Sequence, residues 1–125
     1  MIKFTVAEAP ITKKNHQRIF KNSRTGKPFV TQSEQYKRYE TLAMWQMPRL
    51  EKPIETPVEV TCTFYMPSRR RVDLTNLLEA IDDIMVKAGV LKDDDSSIIV
   101  SHDGSRVRYD KEHPRTEVVI TEVEI

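Results

Sequence analysis

The segment DLTNLLEAIDDIMVKA, residues 73–88, constrains the fold more than any other stretch. At about 100° per residue, Leu74, Leu77, Leu78, Ile81, Ile84, Met85 and Ala88 fall within one arc, so the segment reads as a helix with a single buried face. Thr75, Asn76, Glu79, Asp82 and Asp83 occupy the opposite side. Asp73 suits the N-cap and Gly89 supplies the stop. A helix of this kind cannot stand alone, because its apolar stripe needs another layer to cover it.

The remaining pattern supplies that layer. Ile2, Phe4 and Val6 alternate with Lys3, Thr5 and Ala7, which predicts a first strand ending by Pro10. In VEVTCTFYM, Val58, Val60, Cys62, Phe64 and Met66 share one face of a longer strand. A helix over 33–47 follows from Tyr36, Tyr39, Leu42 and Ala43 at helical spacing, with Thr31 and Glu34 as a possible capping box and Pro48 as the stop. Residues 98–102 and the Val/Ile-rich 116–124 read as further strands. Between them, Asp103-Gly104 fits either a tight hairpin turn or a bulge, and residues 103–115 stay open. The order implies one α+β domain spanning residues 1–125, a mixed sheet packed with two main helices. At 125 residues one core suffices.

Charge is segregated although the net value is only +1. Residues 11–38 carry Lys13, Lys14, Arg18, Lys21, Arg24, Lys27, Lys37 and Arg38 against Glu34 alone. Within them, 11–31 reads as a basic arm with a hairpin turning through Asn22 to Gly26. The acids gather later, in Asp73, Glu79, Asp82, Asp83 and the run Asp93-Asp94-Asp95. Such separation suits a polyanion held beside a cation-binding pocket; solvated surface charge is the competing explanation.

Several classes are excluded or disfavoured. The lone Cys62 permits no internal disulfide and reads as core packing rather than a reactive thiol. His16, His102 and His113 lack metal-ligand spacing and read as polar surface or loop residues. No run is long and apolar enough to span a membrane, so the expected home is cytoplasmic.

The chemistry rests on carboxylates. Glu79 and Asp83 lie one turn apart with Asn76 on the adjoining stripe, and the loop acids can swing back toward that ridge. An oxygen-rich cluster without cysteine prefers Mg²⁺ or Mn²⁺ to zinc. Arg69, Arg70 and Arg71 stand directly before Asp73, placed to hold phosphates while a divalent ion activates water at a phosphodiester. A solvated acidic turn beside a solvated basic turn explains the same residues without catalysis.

Four blocks carry a family resemblance: APITKKNHQRIF, SEQYKRYE, YMPSRRRVDLTNL and KAGVLKDDDSSI. Together they make the chain similar, over nearly its whole length, to the RusA family of Holliday-junction resolvases, small DNA endonucleases of bacteria and phages. That family's motif resembles Asp-x-Asp-Asn-x-x-Lys after an arginine-rich turn, with a later Asp-Asp pair. The resemblance puts Asp73 on the first motif aspartate, Asn76 on the asparagine, Asp83 on a helix aspartate and Asp93-Asp94 on the pair. Thr75 departs from the second motif aspartate, and Glu79 from the lysine. Thr75 and Glu79 are i and i+4 on one face, so the glutamate can return a carboxylate lost one turn earlier.

What the resemblance implies is a metal-dependent endodeoxyribonuclease that resolves four-way junctions by paired symmetrical nicks. Asp73, Glu79 and Asp94 would be catalytic and hold Mg²⁺ or Mn²⁺, with Asp83 and Asp93 as further ligand candidates. Lys13, Lys14, Asn15, Arg18, Arg69, Arg70, Arg71 and Asn76 would contact DNA. A homodimer is implied too, since a two-fold substrate is matched by two identical sites. The alternatives are a junction-binding protein that has lost catalysis, for which Thr75 argues, and a small protein-interaction domain.

Overall fold

The computed structural model describes residues 1–13, 17–21 and 23–124. Its strands and helices run β1 (Ile2–Val6), β2 (Gln17–Lys21), β3 (Pro28–Gln32), α1 (Glu34–Trp45), β4 (Val58–Met66), α2 (Leu74–Lys87), β5 (Ile99–Ser101), β6 (Arg106–Tyr109) and β7 (Arg115–Glu122). β1, β7 and β4 are neighbours in one sheet, antiparallel to each other in turn. β5 and β6 both run parallel to β4, one after the other along its remaining edge. The sheet is therefore mixed and the domain α+β, as the element order implied. The arm folds as a separate two-stranded hairpin of β2 and β3, and Gly26 takes the left-handed φ of +70° just past its turn.

The long strand behaves as its alternation requires. Val58, Val60, Cys62 and Phe64 are buried while the residues between them are partly exposed. α2 covers this face with Leu77, Ile81, Ile84 and Met85, each at most 1% exposed. Burial of each such side chain contributes ~1.5–3 kcal/mol. Tyr36, Tyr39 and Ala43 of α1 extend the same core. Burial also raises the Cys62 thiol well above its ordinary value, which keeps it protonated and inert.

Two expectations need correction, and one open alternative is decided. The α1 cap is Ser33, whose Oγ accepts from Tyr36 N–H at 3.1 Å; the capping box on Thr31 is displaced because the chain is still extended there, in β3. Residues 103–105 form a jog, not a hairpin, since β5 and β6 pair with the same strand in the same direction. Ser105 mends the broken ladder, its Oγ accepting from Cys62 N–H at 2.9 Å, and Thr61 Oγ1 donates to the Asp103 carbonyl at 3.0 Å. Asp82, read as part of the solvent face, is 8% exposed. It faces inward because the jog brings His102 under the helix as its partner.

Candidate active site

The turn after β4 delivers the three arginines and then Asp73. Asp73 caps α2, its Oδ1 accepting from Thr75 N–H at 3.0 Å and from the Thr75 hydroxyl at 2.7 Å. Thr75 thus serves the aspartate instead of adding a second carboxylate. Arg69, Arg70 and Arg71 are all exposed. The Arg69 guanidinium lies over the Tyr109 ring, 4.7 Å from its centroid.

The loop acids divide their work. Asp93 Oδ1 accepts from Asp94 N–H at 2.8 Å, and Asp95 Oδ1 accepts from the backbone and hydroxyl of Ser97. Both carboxylates are spent on shaping the turn; the Ser97 bonds hold Asp95 below the ordinary carboxylate value. Asp94 differs. Partial desolvation, then the hydrogen bond with Asp93 and the charges of Asp93 and Asp83, push its carboxyl above the usual range. Its field also reaches Asp82. Of the three consecutive aspartates, Asp94 is therefore the one turned electrostatically toward α2.

Asp83 receives two lysines. Lys13, at the root of the arm, approaches its Oδ2 at 3.3 Å and Lys87 at 3.5 Å, while Lys87 also reaches Glu40 at 3.0 Å. Each partly exposed pair is worth at most ~1 kcal/mol, but the chain of charges ties the arm, α1 and α2 together. Glu79 is exposed one turn earlier, and the charges of Glu40, Asp83 and Glu79 all reach the buried Tyr36 hydroxyl.

Beneath this ridge lies a pair the residue pattern did not announce. His102 Nδ1 is 2.8 Å from the Val60 carbonyl and Nε2 is 2.8 Å from Asp82 Oδ2. A carbonyl only accepts, so Nδ1 carries a proton, and the second contact holds one more. The Asp82 hydrogen bond raises His102 above its ordinary value. Burial raises Asp82, against the opposing pull of His102. Asp82 Oδ1 is buried with no hydrogen-bond partner among the described residues. Helical periodicity could not reveal this, since it assigned Asp82 to the polar side; the signal was a histidine following a short strand.

The structure thus brings Asp94, Asp93, Asp83 and Asp82 into one electrostatic group. Asp73 stands apart from it, ten residues and about 15 Å of helix before Asp83. Asn76 is half-buried in the first turns of α2, and Arg18 belongs to β2. Lys14, Asn15 and His16 lie outside the described residues. Sequence reasoning passed over Arg115, which stacks on Tyr65 at 3.8 Å and pairs with Asp110 at 3.0 Å and Glu117 at 3.1 Å.

The donor set suits Mg²⁺ or Mn²⁺ in kind, being carboxylate oxygen alone. Among the described residues no three ligand-type side chains converge as a ready-made cage. Mg²⁺ does not require one, because it commonly keeps several waters and takes one or two carboxylates plus substrate phosphate oxygens. No helix among the described residues is long and apolar enough to cross a membrane.

Two comparisons bear on this geometry. A family model described as Endodeoxyribonuclease RusA matches residues 9–121. A curated relative, the crossover junction endodeoxyribonuclease RusA of Aquifex aeolicus strain VF5, is 28% identical over 113 residues, covering 89% of this chain and 85% of the relative.

Proposed function

Because this chain belongs to the RusA family of endodeoxyribonucleases, we propose that it resolves four-way DNA junctions by paired, metal-dependent nicks. The observation that supports the reading is Asp94, the loop carboxylate whose carboxyl is raised by partial desolvation, by its hydrogen bond with Asp93 and by the charges of Asp93 and Asp83. Asp94 and Asp83 would hold Mg²⁺ or Mn²⁺, with Glu79 one turn before Asp83 as the next donor and Asp93 fixing the loop. A bound ion would supply Lewis acidity at the phosphodiester and a more acidic water.

The chain's own residues supply the rest. Arg69, Arg70 and Arg71 hold backbone phosphates beside Asp73, and the arm adds Lys13, Lys14, Asn15 and Arg18, giving binding that weakens steeply with salt. Such contacts set register and carry little sequence information. Lys13 pairs with Asp83, so metal entry trades one cation for another at that carboxylate. Asp73 acts as both cap and acid at the phosphate-gripping end. Two copies related by a two-fold axis would present two such sites to a two-fold junction.

The test is a gel assay of synthetic four-way DNA with and without Mn²⁺. Symmetrical nicks are expected with the metal, and their loss in Asp94→Asn while junction binding persists. Tight junction binding with no nicking at any Mn²⁺ or Mg²⁺ concentration would establish instead the second reading, a junction binder without catalysis. The Thr75 hydroxyl on Asp73, where the family motif has a carboxylate, is the observation that favours it.

A further inference from the structure

β6 is an edge strand with all four side chains exposed. Val107 and Tyr109 are 38% and 42% exposed. They stand in register with Phe64 and Met66 of β4, on the side of the sheet that α2 covers elsewhere. α2 starts only at Leu74, so this end of the sheet is left bare. A groove of about 280 Å³ opens there, its floor formed by Met66, Val72, Val107 and Tyr109 and its rim by Arg69 and Arg70. None of its lining residues is acidic.

An apolar floor with an aromatic face and a cationic rim fits a flat ring carrying phosphates. The volume lies just under the ~300–1,000 Å³ usual for small-ligand sites, enough for one base and not for a strand. Arg69 already lies over Tyr109, which shows that the ring face accepts a planar, stacked partner. We propose that this groove receives a single nucleobase unstacked at the junction's branch point, with Tyr109 as its stacking surface. Arg69 would then move from the ring to the flanking phosphate. The proposal rests on the junction reading above and gives it a source of shape selectivity. Intact duplex keeps its bases stacked and has none to offer, whereas a branch point unstacks one more readily.

A second copy of the chain pairing along the β6 edge is the competing occupant. Arg106 and Arg108 argue against it, because an antiparallel copy would set like charges opposite one another.

The experiment uses the full chain and a four-way junction with 2-aminopurine at the crossover, beside a 2-aminopurine duplex of the same sequence, without divalent metal. The wild type and Tyr109→Phe should change the junction's fluorescence and leave the duplex signal unaltered. Tyr109→Leu, which keeps the apolar bulk, should lose that change and bind the junction about tenfold more weakly, with duplex affinity nearly unaltered. If Tyr109→Leu keeps both the signal and the junction preference, the groove proposal fails while the junction reading stands. A wild type that binds junction no better than duplex overturns both. A change in the size of the assembled protein in Tyr109→Leu would instead make β6 a contact between copies.

Discussion

At its first turn α2 meets arginines and an open aromatic groove; ten residues later its neighbours are carboxylates and a half-buried histidine. The first end is exposed and cationic, with Arg69 to Arg71 and Tyr109 around the Asp73 cap. The second is acidic and crowded, with Asp94 raised by its neighbours and Asp82 locked to His102. On the proposed reading, one helix would separate gripping of DNA from binding of a metal. Exposed cations keep their reach for phosphates, while partly desolvated acids gain from a divalent ion that neutralises them.

The contrast breaks most visibly at Asp94. Asp94→Asn should lower nicking of four-way DNA by at least about a hundredfold, the order seen when one group is removed from a catalytic site, with binding within about twofold in the same assay. Equal loss of binding would place Asp94 at the gripping end instead. Glu79→Gln should reduce nicking too, and full activity there would remove Glu79 from the donor set.

Next in size is the buried pair. His102→Ala removes the side-chain partner of the Asp82 carboxyl. Uncompensated buried charges cost ~3–5 kcal/mol; the partial exposure of His102 brings the expectation to about 2 kcal/mol, read by denaturant unfolding. The pH dependence follows from the same contacts. His102 and Asp82 both bind their proton more tightly in the folded protein. Stability is therefore fully present below the unfolded value of each and is lost as pH rises through the folded ones. Melting temperature should fall as pH climbs above the ordinary histidine value of 6.5. In His102→Gln the fall should move to more acidic pH, where only the burial-raised Asp82 titrates.

Smaller effects sharpen the Asp73 end. Asp73→Ala should cost ~1 kcal/mol of stability through loss of the cap, and Asp73→Asn almost none, since asparagine caps equally well. Nicking should drop in both, because only the aspartate carries charge. Arg71→Ala should do least: a few-fold weaker binding and a salt dependence reduced by about one unit of slope.

Legibility followed the range of the forces involved. Cap and amphipathic face of α2, the alternation of β4 and the arm hairpin are set by neighbours a few residues apart, and each was readable from spacing. Ser33 displaced Thr31 as the cap because β3 stays extended through Gln32. β6 escaped notice because its alternation, Val107 and Tyr109 between Arg106 and Arg108, is only four residues long and all four side chains are exposed; it is a strand because β4 offers an unpaired edge. Asp82 was misassigned for the same reason, as periodicity gives a face but not what stands opposite it. Adjacency alone does not separate the three loop acids; the family resemblance singled out Asp94, and the structure adds that Ser97 and the Asp94 backbone occupy the carboxylates of Asp95 and Asp93.

By itself the amino-acid order determined that this chain would be an α+β domain with segregated charge and a carboxylate-bearing helix, and it carried the RusA blocks, because those are properties of short windows. Tertiary structure alone decided that Asp82 points inward to His102, that Asp94 feels the charge of Asp83 and that Tyr109 lies open beside Arg69. Each of those depends on contacts between residues some ten to forty positions apart, whose meeting is set by sheet pairing and helix packing that no local pattern encodes.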